Sequence, residues 1–202
     1  MDVVVLGGCR VHVMPVIRGL VSESESVVAA FQEVRPEAVA LSIGREELEA
    51  LKAHSGENVP PDNVEEEVYV RGLSRFGDVR KPPPCFVVAL GTSTERSIPV
   101  YPLDMDDEQY SSTYVASVST VDILLANVRE GRLRKWASKA ASPVDFVREW
   151  DSVVNQSAGY RKLIAEREAF LARRIRQVAS RHGVLLALID VERAKGVLGR
   201  LV

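Results

Sequence analysis

The chain has 202 residues, 46% of them hydrophobic and 27% charged, with a formal net charge of -2. That is enough apolar material for one domain with a sizeable core, and it lacks the basic excess of a nucleic-acid binder. No apolar stretch approaches the ~18 residues of a membrane span, and two distant cysteines, Cys9 and Cys85, make neither a disulfide scaffold nor a zinc spacing.

The opening "MDVVVLGG" has no basic leader region, which leads to the expectation of a cytoplasmic protein. Arginine far outnumbers lysine, and asparagine and glutamine are scarce; this fits a thermophilic or a GC-rich source.

Residues 2–6 are mostly β-branched and end at Gly7-Gly8, so they read as a buried strand of a parallel sheet. Ser24 or Ser26 caps a helix running to about Arg35, and Pro36 stops it. Residues 37–43 (EAVALSI) form a second strand, followed by a short polar helix that ends at Gly56. After the loop SGENVPPDN, Val64, Val68, Leu73 and Phe76 share one side of a helix. The run from Cys85 to Leu90 suits a strand or, behind three prolines, a helix start; helix is the preferred reading. Ile98–Leu103 is a third strand, ending in Asp104, Asp106 and Asp107.

From there to about His182 the pattern is mostly helical. Breaks fall near Gly131, at Ser142-Pro143 and near Gly159. A long charged helix runs from about Tyr160 to Arg181, and Gly183 ends it. Residues 184–190 (VLLALID) are the fourth strand, before a short terminal helix. The expected fold is a single α/β domain over residues 1–202. It has a mostly parallel central sheet flanked by helices, with a largely helical insert (about 105–182) between the third strand and the last.

In an open parallel sheet, ligands bind beyond the carboxyl ends of the strands. Strand one would deliver Gly7, Gly8, Cys9, Arg10 and His12. Strand two would deliver Ser42, Gly44 and Arg45, and strand three Asp104 and Asp106. Strand four would deliver Asp190, Glu192 and Arg193. Simpler roles exist for several of these. Gly7-Gly8 serves a tight turn, since no G-x-G-x-x-G is present. His12 reads first as a structural histidine, and Cys9 lacks the partners of a nucleophile. Asp106 and Asp107 suit a helix N-terminus. The charges of "REEL" suit a solvated helix face.

Five segments, in order, resemble the TraB/PrgY family, whose relatives include Tiki metalloproteases, GumN proteins and haem-binding ChaN proteins. They are "VVVLGGCRVHV", "RPEAVALSI", "PVYPLDMD", "AEREAFLARRI" and "LLALIDVERAKGVLGRL". In the fourth, Glu166, Arg167 and Glu168 fall in register with the family's Glu-Arg-Asp helix. In the fifth, Gly196 fits the helix glycine. Aligned without gaps, the first family histidine falls on Arg10, the strand-two glutamate on Ser42 and the last histidine on Arg193. A guanidinium cannot ligate a metal, so the resemblance implies either a cation site turned into an anion site or a decayed site whose arginines pair with Asp104, Asp190 or Glu192.

The expected site is then Gly8, Arg10, Ser42, Asp104, Glu166 and Arg193 around a small anionic ligand, with no metal and no cofactor. This would be a ligand-binding or interaction protein. The alternative is a metal-dependent hydrolase with a rearranged site, using His12, Asp104 and Glu166. A third reading is a structural partner or homo-oligomer that docks through the helix 160–181.

Overall fold

Gly7 and Gly8 take positive φ values of 55° and 94°, the backbone of a two-residue hairpin turn. They fold β1 (Asp2–Leu6) antiparallel onto β2 (Cys9–Val16), with Leu6 opposite Cys9. The computed structural model describes residues 1–202. After the hairpin come α1 (Glu23–Val34), β3 (Ala38–Leu41), α2 (Arg45–Ala53), α3 (Val64–Leu73), α4 (Pro84–Glu95) and β4 (Val100–Pro102). Four helices follow: α5 (Asp107–Ser117), α6 (Thr120–Leu133), α7 (Pro143–Val154) and α8 (Ala158–Ala179). The chain closes with β5 (Val184–Asp190) and α9 (Val191–Leu201).

The sheet order is β1-β2-β5-β3-β4, and every pair except β1·β2 is parallel. The protein is therefore an α/β fold with a mostly parallel sheet flanked by helices. The last strand enters the middle of the sheet, between β2 and β3. Its period-two alternation serves two cores. Leu185, Ala187 and Ile189 pack with Leu171 and Ile175 of α8 and Val197 of α9. Leu186 and Leu188 pack on the other face with Phe31 of α1, Leu48 of α2 and Phe86 of α4.

The local signals act as elementary chemistry dictates. Pro84 opens α4 within the first turn, where a missing N–H costs nothing. Asp106 caps α5 in a capping box with Gln109. Ser142 caps α7, with Pro143 next to it. No helix is long and apolar enough to cross a membrane.

Two expectations fail here. Neither Ser24 nor Ser26 caps α1, because the helix already starts at Glu23 and both lie within it. Residues 2–6 are not a buried parallel strand: they form an antiparallel edge, with Val3 and Val5 exposed. The strand that enters the parallel layer is residues 9–16, whose alternating burial "CRVHVMPV" carries the true core face.

Candidate functional site

Four parallel strands end on one side of the sheet, and each hands over a polar group. β2 runs out into Ile17 and Arg18. β3 runs into Ser42 and then α2, which carries Glu47. β4 runs into Leu103 and Asp104. Asp190 ends β5 and leads directly into α9, with Glu192 and Arg193 in its first turn.

Arg18 is the hub. Its Nε donates to Asp190 Oδ1 at 2.7 Å, Nη1 to Glu47 Oε1 at 3.0 Å, and Nη2 to the Ser42 carbonyl at 2.6 Å. The guanidinium also lies 5.2 Å from the Phe86 ring centroid. Burial works against its charge, but Asp190 and Glu47 more than offset this and raise its pKa. Ser42 Oγ accepts from the Asp190 N–H at 3.1 Å, and the Tyr69 hydroxyl donates to the Arg18 carbonyl at 3.1 Å. The ends of β2, β3 and β5 are thereby tied into one rigid patch.

Beside the hub, Arg167 of α8 clasps Asp104 through Nη2, with Nε at 3.5 Å from the other oxygen. Arg193 is buried at a side-chain exposure of 6%. It pairs with Asp151 of α7 and lies 3.8 Å from Glu168 of α8. Burial lowers its pKa to about 10, which leaves it charged at neutrality.

These groups border a cavity of about 540 Å³. Arg18, Glu47, Asp190 and Glu192 line it together with Tyr69, Tyr110, Trp150, Tyr160, Arg129 and Arg167. Arg129 approaches Glu65 at 3.6 Å, and its buried Nε has no acceptor. Glu192 is the one carboxylate of the lining without a basic partner. Burial first, and the neighbouring Asp190 charge second, push its pKa up to about 7. Glu47 is also raised by burial, against the pull of Arg18.

Of the expected residues, Ser42, Asp104 and Arg193 come to this edge. Ser42 is wholly buried and serves Asp190, and Asp104 serves Arg167. Gly8, Arg10 and His12 do not come here. Arg10 lies in register with Val184 at the start of β5, while Asp190 ends it. Six residues at ~3.3 Å put Arg10 ~20 Å from the cavity edge. Arg10 and Arg193 therefore cannot share one anion. The reason is the glycine turn: it starts β2 at Cys9, so the chain reaches the ligand edge only at Val16–Arg18. His12 sits mid-strand with Nδ1 unpartnered, and burial and Arg10 lower its pKa. Glu166 is exposed on α8, and its neighbour Arg167 points inward instead.

The sequence reading missed Arg18, Glu47 and Arg167 as site residues, and named Glu192 only as one of a strand's loop residues. The available signal for Arg18 was an alternating strand ending in Arg-Gly. Glu47 looks like any solvated helix charge.

A metal ion of the kind implied by the resemblance does not fit. No three His, Cys, Asp or Glu side chains converge to hold one, and the arginines at the matched positions cannot ligate. No protein-family model matches the chain, and no curated protein matches it either.

Proposed function

We propose that this chain is a TraB/PrgY-like domain that binds a small anionic ligand in the cavity at the carboxyl ends of β2, β3 and β5. The observation that carries this reading is Arg129. It is a half-buried cation of the cavity lining whose one carboxylate neighbour, Glu65, stands off at 3.6 Å and whose buried Nε has no acceptor, and a buried donor without a hydrogen bond is costly. A carboxylate or phosphate oxygen in the cavity would pair with the Nη groups of this guanidinium, which Glu65 at 3.6 Å holds only loosely. Arg167 stands on the same cavity with Nη1 free of carboxylates. Support for the resemblance is that four of its five segments meet here, with Asp104 of the third paired to Arg167 of the fourth.

Trp150 lines the cavity, so its fluorescence reports occupancy. Titration with inorganic phosphate and with succinate is expected to saturate for at least one, and Arg129→Met to weaken that binding at least tenfold. Equal binding by the variant refutes the reading.

Glu192 favours a second reading, a hydrolase that needs no metal. A carboxyl that titrates near neutrality suits a general acid or base. It would hold a proton for a leaving group, or take one from water, while Arg129 and Arg167 orient the substrate anion.

A further inference from the structure

The two edges of the sheet are built differently. β4 is three residues long and contains Pro102, so it offers little to a neighbouring strand. β1 is five residues, DVVVL, with one charge and no proline. Nothing guards it.

The hairpin register shows which backbone groups β1 leaves free. A two-residue turn makes Leu6 and Cys9 a hydrogen-bonded pair, and hydrogen-bonded and non-bonded pairs alternate from there. Val4 and Asp2 therefore bond to β2, whereas Val5 and Val3 do not. Arg10, opposite Val5, accordingly turns its N–H away from β1 and donates to the Gly183 carbonyl at 2.8 Å. Val3 and Val5 thus direct both N–H and C=O outward along the open edge. Their side chains are exposed at 55% and 67%, while Val4 and Leu6 pack on the core.

The geometry points to a second copy of this chain as the occupant. β1 pairs antiparallel with β1 of the second copy about a two-fold axis at Val4, joining two five-stranded sheets into one. Val3 of each copy then faces Val5 of the other. These are the residues with free backbone groups, so each such pair exchanges both of its N–H···O bonds. On the exposed face the same pairing sets valine against valine. Asp2 falls opposite Leu6, so no like charges oppose each other. The strand is complementary to itself in backbone, side chain and charge.

Light scattering on the full chain over a concentration series tests this. The mass is expected to rise from one chain toward two. Val5→Pro removes an outward N–H without touching the β1·β2 ladder. The double variant V3K/V5K sets lysine against lysine across the seam; the new lysine at position 5 also faces Arg10 of β2, so the fold is checked alongside. Each is expected to weaken association at least tenfold, and circular dichroism of V3K/V5K should match wild type. The pair Leu124→Asp and Val128→Asp, on the exposed apolar stripe of α6, is expected to leave association unchanged. A monomer at every concentration overturns the proposal. So does a dimer indifferent to V3K/V5K, or one lost with the α6 variant instead.

Discussion

Replacing Glu192 with glutamine removes the titration and keeps the shape. In the folded chain this carboxyl titrates at about 7 against an ordinary value of 4.5. Below pH 4.5 it is protonated folded or unfolded and contributes no difference. Between the two values the unfolded chain releases the proton and the folded chain keeps it, so stability falls as pH rises. Above pH 7 the penalty is complete. At about 1.4 kcal/mol per pH unit its upper bound is about 3.5 kcal/mol. Because the group borders an open cavity, about 1–3 kcal/mol is the working range. For a domain of this size each kcal/mol moves Tm by about 2–4 °C. Glu192→Gln is thus expected to match wild type at pH 4 and to melt several degrees higher at pH 8.5. Differential scanning calorimetry of both proteins across this range measures the difference, and other groups cancel because the two proteins share them. A Tm difference that stays constant from pH 4 to pH 8.5 would refute burial of this carboxyl as the cause.

Two further substitutions test the surrounding network. Asp190→Asn strips Arg18 of its buried 2.7 Å partner and is expected to cost about 3 kcal/mol in urea denaturation. In an Arg18→Met background the same change should cost much less, since no guanidinium remains to lose its buried partner; equal costs would show that the two residues are not coupled. A methyl on Gly196 would sit 2.1–2.3 Å from the Glu168 carboxylate, which Arg200 holds at 2.8 Å. Gly196→Ala is therefore expected to destabilise, although alanine is favoured in a helix by about 1 kcal/mol. Combined with Glu168→Ala it should turn stabilising, and stabilisation in both backgrounds would show that the close approach imposes nothing.

Much of the architecture was legible because it is written in short-range chemistry. β5 follows from an unbroken apolar run between Gly183 and Asp190. The starts of α4, α5 and α7 follow from proline and from side-chain oxygens capping free N–H groups. Such signals act over a few residues, and no tertiary contact is needed to read them.

The site obeys a different rule. Whether Gly7-Gly8 ends a parallel strand or turns a hairpin depends on which neighbour β2 finds, and that neighbour is β5, more than 160 residues later. Arg18 acquires its role only from Asp190, 172 residues away. Glu166 and Arg167 differ by one step of helical phase, and the packing of α8 decides which of them faces the cavity. By itself the sequence determined most of the elements and the layered α/β class, since such elements need only their own periodicity and caps, but not the split of the first strand into the hairpin β1–β2. Only the tertiary structure decided which charges meet, because an ion pair or a raised carboxyl pKa exists only where distant strand ends exclude water together.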